Sequence, residues 1–175
     1  MSEVIDERIG ILEHDNFSEK AIFKLKKIGT IRFYYNRCIE SFLSDLTVLF
    51  VRLDYKIDKK LLNKCPELQY ICSPTTGHTH MNINELKLRN IKLLSLRGER
   101  KFLDNIHSTP EHTFGLILAL LRRYKSAFFH VGNGGWDRKL FYGEDLSGQT
   151  VGIIGLGRVG FRVATYCEAF DAKVI

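Results

Sequence analysis

The residues with the clearest chemical meaning are three glycines, Gly155, Gly157 and Gly160. Residues 150–154, before them, have the apolar, β-branched composition of a strand, and residues 161–170, after them, have the pattern of a helix. In that context the first glycine permits a sharp turn, the second lets a pyrophosphate approach the backbone, and the third lets the helix pack on the strand. Free N–H groups at the helix start favour phosphate. The spacing therefore predicts a dinucleotide-binding loop, which we favour over a structural glycine-rich turn.

The partner that normally completes such a loop is an acidic residue about 20 positions after the first glycine, where it holds the ribose hydroxyls. The chain reaches Ile175 inside the strand predicted at 172–175. Glu168 falls within the helix and Asp171 precedes the strand, so neither has the required position. The choice between NAD and NADP is therefore open at this point.

Histidine and cysteine are the other residue types that could do chemistry. His78 and His80 could share one face, but no carboxylate or cysteine stands near them at the spacing of metal ligands, and we predict no metal site. The cysteines form no CxxC pair and no paired spacing, which favours reduced thiols in a cytoplasmic protein over zinc or a disulfide framework. They are residues 38, 65, 72 and 167.

Residues 108–111 predict the start of a helix. Ser108 and Glu111 match a capping box, and Pro110 is tolerated in a first turn because its missing N–H has no partner there. Residues 114–121 are apolar on all sides, which predicts a connecting helix buried on several sides. Glu111 beside His112 could also be an acid–base pair, but capping explains the glutamate sufficiently.

The first hundred residues position these groups by alternating strand and helix patterns. This alternation predicts an α/β fold with a parallel sheet that ends near residues 97–101. The predicted strands are 9–12, 31–35, 48–51, 69–72 and 91–96. The predicted helices are 18–28 with Ser18 as N-cap, 37–43, a short helix capped by Asp58 and ending at Leu62, and 83–88. A glycine-rich loop is predicted for 131–148.

Length and composition are those of a globular chain of 175 residues, 45% hydrophobic and 26% charged. The longest apolar run is 114–121, too short to cross a bilayer, and residues 1–10 carry acids in place of a signal region. We therefore expect no membrane partner and no export. The net charge of +6 permits an anionic ligand. Lysines at helix-solvating spacings explain that charge as well, and we expect no nucleic-acid partner.

Several segments together resemble the D-isomer-specific 2-hydroxyacid dehydrogenases, the family that contains D-3-phosphoglycerate dehydrogenase. They are CPELQYICSPTTGHTHMNINEL at 65–86, STPEHTFGLILALLRRY at 108–124, GGWDR at 134–138, LSGQTVGIIGLGRVG at 146–160 and CEAFDAKVI at 167–175. The resemblance extends over about residues 46–175. Before residue 46 only the α/β pattern agrees.

The resemblance implies an architecture and a reaction. Residues 1–107 would form a flavodoxin-like substrate domain, and 108–175 a linker helix followed by an incomplete NAD-binding Rossmann domain. The reaction would be the NAD-dependent interconversion of a D-2-hydroxy acid and a 2-oxo acid, in a protein that is a homodimer at full length. In this family the active site lies between the two domains.

The resemblance also implies roles for individual residues. Thr75, Thr76 and Gly77 stand where the family's loop binds the substrate carboxylate through backbone N–H groups. The family commonly has an aspartate soon after this glycine, where the chain has Thr79, which leaves the substrate unidentified. Thr109 would contact the nicotinamide side of the cofactor. The residues implied at the diphosphate are Gly155, Gly157, Arg158, Val159 and Gly160.

The family's catalytic arginine, glutamate and histidine match no residue of this sequence. A carbonyl that accepts hydride needs a proton source beside it, so we expect the chain to be an N-terminal portion, truncated within the NAD-binding domain and inactive alone. A strand edge left unpaired and a linker helix left half uncovered predict loose packing or association for 150–175. A non-enzymatic NAD-sensing or corepressor-like interaction protein is the alternative, because fold alone does not fix function.

Overall fold

The computed structural model describes residues 6–175 and divides into two compact units. The first ends at Glu99 and the second extends from Arg100 to Ile175. Residues 100–107 therefore pack with the second unit. The assignment of 1–107 as substrate domain and 108–175 as cofactor domain stays a prediction.

The first unit is built on a five-stranded sheet whose strands are all parallel. Its order, β2-β1-β3-β4-β5, is that of flavodoxin-like folds, which confirms the predicted fold class. The strands are β1 (Glu7–Ile11), β2 (Gly29–Phe33), β3 (Val48–Phe50), β4 (Tyr70–Ser73) and β5 (Lys92–Ser95).

Four helices alternate with these strands: α1 (Glu19–Leu25), α2 (Ile39–Leu43), α3 (Lys59–Leu62) and α4 (Ile83–Leu88). The predicted cap of α3 is confirmed, because the Asp58 carboxylate accepts a hydrogen bond of 3.0 Å from the Leu61 N–H. Ser18 occupies the N-cap position of α1, but its side chain makes no capping bond, and the helix ends three residues before the predicted end at Ile28.

The core of the first unit lies between the sheet and its helices. β3 is buried on both faces, as its continuous apolar sequence predicts for a central strand of a parallel sheet. Leu49 and Ile71, on neighbouring strands, are fully buried. The buried cluster consists of Leu12, Leu43, Leu46, Leu49, Val51, Ile57, Leu61, Leu62, Cys65, Leu68, Ile71, Met81, Leu86 and Ile91.

The second unit is mostly helical and carries a two-stranded parallel sheet. The strand predicted at 150–154 has two paired residues, although the Ile153 N–H continues the bonding by donating to the Ile175 carbonyl at 2.8 Å. The elements are α5 (Arg100–Leu103), α6 (Ser108–Leu121), α7 (Tyr124–Gly132), a 3-10 helix (Arg138–Phe141), β6 (Thr150–Val151), α8 (Arg158–Ala169) and β7 (Lys173–Val174).

The capping box predicted at the start of α6 is wrong. The helix begins at Ser108 itself, so His107 occupies the N-cap position, and its side chain makes no capping bond. Pro110 is buried in the first turn, where its missing N–H costs nothing. Arg123 then separates α6 from α7 by adopting a left-handed conformation with φ of 54°.

The prediction that α6 is buried on several sides is also wrong for this chain. One face packs on a small cluster formed by Leu146, Val163, Cys167 and Ala172. The opposite face exposes Leu116 by 57% and Leu120 by 80%. The helix is therefore half uncovered. Among residues 6–175, no helix has both the length and the apolar character that a membrane span requires.

Candidate nucleotide-binding site

Each glycine of the loop between β6 and α8 has the backbone property that its position predicts. Gly155 has φ of +97°, a conformation that side chains disfavour. A Cβ at Gly157 would meet no atom within 4 Å, so this side of the loop is open to a ligand. A Cβ at Gly160 would collide with the Gly155 carbonyl oxygen and lie 3.2 Å from Ile153 Cγ2, so the helix packs there as closely as a glycine allows.

The start of α8 presents hydrogen-bond donors to this open side. The backbone N–H groups of Arg158, Val159 and Gly160 belong to a first turn, where an α-helix supplies no acceptor. The first N–H with a partner in the helix is that of Phe161, which donates to the Gly157 carbonyl at 2.9 Å. No acidic residue lies in this turn, so the positive helix end is uncompensated and suits a diphosphate.

The Arg158 side chain is engaged elsewhere. Its Nη1 donates to the carbonyl oxygens of Leu103 and Ile106, at 3.1 and 2.9 Å. Four residues later, Arg162 donates to the Asp104 carbonyl at 2.6 Å. The backbone of Arg158 thus lies at the glycine loop, while its guanidinium binds the segment before α6.

Thr109, predicted to face the nicotinamide, is the second residue of α6 and is exposed. It follows Ile106 by three residues, and the Arg158 contact to Ile106 brings the start of α6 beside the start of α8. Phe114, near the end of the second turn of α6, packs against Tyr166 in the third turn of α8 and against Phe170, directly after that helix. The two helices therefore have their amino ends on the same side.

The predicted substrate loop follows β4 at the carboxyl edge of the first sheet. Thr75 donates from its hydroxyl to the Gly77 carbonyl at 3.0 Å and bonds the Ser73 hydroxyl at 2.9 Å, so its side chain shapes the loop. Thr76 and Gly77 are exposed, and a Cβ at Gly77 would meet nothing within 4 Å. The role of these three residues in substrate binding stays a prediction.

The histidines after this loop do not form a metal centre. His78 Nε2 and Ser95 Oγ are 2.9 Å apart, and both ring nitrogens of His80 are buried without a hydrogen-bond partner. Burial lowers the pKa of His78 below its ordinary value, and the charges of Arg97 and His80 lower it further. Across residues 6–175, no group of three or more histidine, cysteine or acidic side chains is arranged to hold a metal ion.

Sequence reasoning missed Glu13, whose carboxylate is buried just after β1. It accepts hydrogen bonds from the N–H groups of Leu53 at 3.0 Å and Asp54 at 3.2 Å, and it lies 3.5 Å from Arg52 Nε. These partners are about forty positions away along the chain, so no local sequence pattern predicts that Glu13 binds them. A glutamate directly after an apolar strand is the single local hint.

Two cavities open along this carboxyl edge. Glu13 and Arg52 line one of about 280 Å³ between the ends of β1 and β3, where the strand order reverses. Ser73 and Ser95 line another of about 370 Å³ beside it. Open α/β sheets bind ligands at the carboxyl ends of their strands, next to such a reversal. The first unit therefore has two cavities at the edge where sheets of this kind bind ligands.

Fold and loop together define a class: a parallel α/β unit followed by a strand, glycine loop and helix is a dinucleotide-binding arrangement. Comparison with known proteins narrows the class. Residues 114–175 match the model of the D-isomer specific 2-hydroxyacid dehydrogenase NAD binding domain. The chain is 32% identical over 169 residues to D-3-phosphoglycerate dehydrogenase of Archaeoglobus fulgidus and 31% identical over 137 residues to glyoxylate reductase of Thermofilum pendens.

These alignments cover 94% and 76% of this chain, but 31% and 39% of the two relatives. A crystal structure of Aquifex aeolicus D-lactate dehydrogenase complexed with NAD and lactic acid is 26% identical and superposes with a TM-score of 0.79, over 95% of this chain and 50% of that one. Residues 114–175 match the NAD binding domain of the D-isomer specific 2-hydroxyacid dehydrogenase family, and the chain as a whole is similar to these relatives and spans only part of their length.

The match to an NAD binding domain agrees with the geometry of the glycine loop, and NAD is the cofactor that this part of the chain supports. The site has the open space of Gly157 and the free donors of the first turn of α8. These features fit the two linked phosphates of a dinucleotide.

Proposed function

We propose that this chain is part of an NAD-dependent oxidoreductase that interconverts a D-2-hydroxy acid and a 2-oxo acid. The single observation that carries the proposal is the glycine loop: it turns at Gly155, is open at Gly157 and packs tightly at Gly160. The family match over 114–175 and the relatives named above give the reaction class.

In this proposal the chain's own residues bind the cofactor and orient it. The N–H groups at the start of α8 bind the diphosphate, and Thr109 lies toward the nicotinamide. Bound NAD supplies the hydride chemistry. The exposed N–H groups at Thr76 and Gly77 bind the carboxylate of the substrate. They lie at the carboxyl edge of the first sheet, where the two cavities also open.

We propose further that these 175 residues bind NAD without turnover. Reduction of a 2-oxo acid needs a group that delivers a proton to the carbonyl oxygen and a charge that stabilises it. The family's arginine, glutamate and histidine for this task match no residue in this sequence. The chain as it stands is therefore a binding module of the reaction.

Calorimetric titration with NADH tests the binding. We expect saturable binding by the 175-residue chain and a loss of at least about tenfold in affinity for Gly157→Val, because the new side chain fills the space of the phosphates; tenfold corresponds to about 1.4 kcal/mol. Gly115→Ala is the matched control, since its Cβ also meets nothing within 4 Å but lies on α6, within a helix. Equal affinities for the two variants would contradict the assignment.

A panel of 2-oxo acids tests the absence of turnover. With NADH and each acid, we expect no oxidation of NADH above the rate without protein. Catalysis by the chain alone would refute the binding-module proposal but leave the family assignment intact.

We propose that the protein forms a homodimer. In the second unit, α6 and α7 expose large apolar side chains of the kind that interfaces cover, including Leu120, Phe128 and Phe129. Light scattering over a hundredfold range of concentration should show association, and Phe129→Asp should weaken it. A strictly monomeric protein over this range of concentration would contradict this.

A reducing, cytoplasmic location is the last part of the proposal. The four cysteines are free, and burial raises the pKa of Cys65 and Cys72 to about 11, which keeps both as unreactive thiols. Alkylation during cell lysis, followed by mass spectrometry, should find all four cysteines reduced. A native disulfide would contradict the location.

A further inference from the structure

We propose that Arg158 is a positioning residue of the NAD site. Its guanidinium ties the segment 103–107 to the first turn of α8 and so builds one wall of the site, while the diphosphate is bound by backbone N–H groups. This inference rests on the proposed function, because it assigns a role to a side chain at the same loop.

The bonding of the guanidinium is the first argument. A single nitrogen, Nη1, donates to two carbonyl oxygens, those of Leu103 and Ile106, and the side chain is partly buried. Leu103 ends α5, a helix of four residues, and its carbonyl oxygen accepts from the Ile106 N–H at 3.0 Å as well as from Arg158. So short a helix does not form by itself in water, so it depends on contacts such as this one.

A second arginine strengthens the attachment. Arg162 lies four residues after Arg158 and therefore on the same face of α8. It donates to the Asp104 carbonyl at 2.6 Å, and its Nη1 is 3.3 Å from His107 Nδ1. Because a guanidinium carries no acceptor, the histidine nitrogen is the acceptor in this contact. The two arginines thus bind four of the five residues 103–107, through a backbone carbonyl in three of them and through the side chain of His107.

Electrostatics explain why the site needs this attachment. A carbonyl oxygen carries partial negative charge and would repel a diphosphate nearby, and the guanidinium of Arg158 binds two such oxygens, those of Leu103 and Ile106. The same contact fixes the segment that leads into α6. This segment ends at His107, two residues before Thr109. Arg158 therefore acts on NAD binding through the position of 103–107.

The test compares Arg158→Met, which keeps a long apolar stem but no donor, with wild type and with the control Arg138→Met on the exposed 3-10 helix. Hydrogen exchange is measured on the nucleotide-free 175-residue chain, and NADH affinity is measured at several salt concentrations. We expect Arg158→Met to lose exchange protection at 103–107 and to bind NADH about tenfold more weakly, with the wild-type dependence of Kd on salt. Arg138→Met should match wild type in all three.

The opposite outcome is equally clear. If exchange at 103–107 is unchanged while affinity falls and its salt dependence flattens, the guanidinium contacts the diphosphate directly and the proposal is overturned. Gly157→Val separates this failure from failure of the proposed function, since it should weaken NADH binding by at least about tenfold and leave the exchange of 103–107 as in wild type. If the wild-type chain binds no NADH, the proposed function fails, and with it a role for Arg158 in the NAD site.

Discussion

The two units of this chain are held together in different ways. The first buries a continuous cluster of aliphatic side chains between a five-stranded sheet and its helices. The second buries four side chains in its cluster and leaves large apolar groups exposed, among them Trp136 by 92%. Its local shape depends also on the glycine loop at 155–160 and on arginines bound to backbone carbonyls.

This difference assigns different tasks to the units. A well-packed unit resists deformation and keeps its strand ends in place for the loops that they carry. A unit with few buried contacts and free backbone donors has the properties of a binding element that gains order from its ligand. The comparison predicts that truncation of a core side chain strongly destabilises the first unit, and that substitutions in the glycine loop destabilise the second unit alone.

The largest effect is expected for Leu49→Ala in the central strand of the first unit. Leu49 is fully buried, and truncation of a buried leucine costs about 3 to 5 kcal/mol, which includes the cavity that it leaves. Chemical denaturation followed by circular dichroism should show the loss. Leu53→Ala is the control, because Leu53 is 64% exposed, and it should change stability by less than about 0.5 kcal/mol.

The second prediction concerns Gly160→Ala in the second unit. The added Cβ collides with the Gly155 carbonyl oxygen, and overpacking of this kind costs about 1 to 3 kcal/mol. Hydrogen exchange should show faster exchange across α8 and unchanged protection in β1, β3 and β4. Gly152→Ala, whose Cβ would meet nothing within 4 Å, should leave both units unaffected. Uniform destabilisation of both units by Gly160→Ala would erase the distinction between them.

A smaller effect is expected for Asp58→Ala. This change removes the hydrogen bond to the Leu61 N–H and should cost about 1 kcal/mol of the stability of the first unit. Ser18→Ala provides the comparison, because Ser18 occupies the same position on α1 without a capping bond and should cost close to nothing. Equal losses in the two variants would show that the cap contributes nothing.

The smallest effect is a dependence on pH through His78. Burial lowers the pKa of His78 in the folded state, so the unfolded chain binds a proton more readily. The free energy of unfolding should therefore be highest above the ordinary histidine pKa, about 6.5, and should decline as pH falls below it. Denaturation between pH 5 and about pH 8 should show this decline in wild type and a shallower one in His78→Asn. A steeper decline in the variant would contradict the predicted effect of His78 on stability at low pH.

Local patterns predicted most of the first unit, because its elements are set by residues close in sequence. The alternation of short apolar runs with amphipathic stretches predicted the five strands, and α4 begins and ends where its pattern does. The break at Arg123 was missed, since arginine has no preference for a left-handed backbone. The capping box at Ser108 was wrong because helix ends also respond to tertiary contacts, such as that of Arg162 with His107.

The candidate site divides in the same way. The three glycines were predictable because each is required by the turn, the open side or the helix packing within six residues. The bonds of Arg158 to Leu103 and Ile106 span more than fifty residues, and those of Glu13 to Leu53 and Asp54 span about forty. Such partners become visible only once the fold brings them together.

The central claim is that the loop between β6 and α8 binds the diphosphate of NAD. The most direct measurement is a titration of the ¹⁵N-labelled 175-residue chain with NAD, followed through its backbone amide resonances. We predict saturable shifts concentrated at residues 155–160, with Arg158 and Val159 among the largest, and little change at Gly115. Saturating NAD that leaves these amides unmoved would contradict the account.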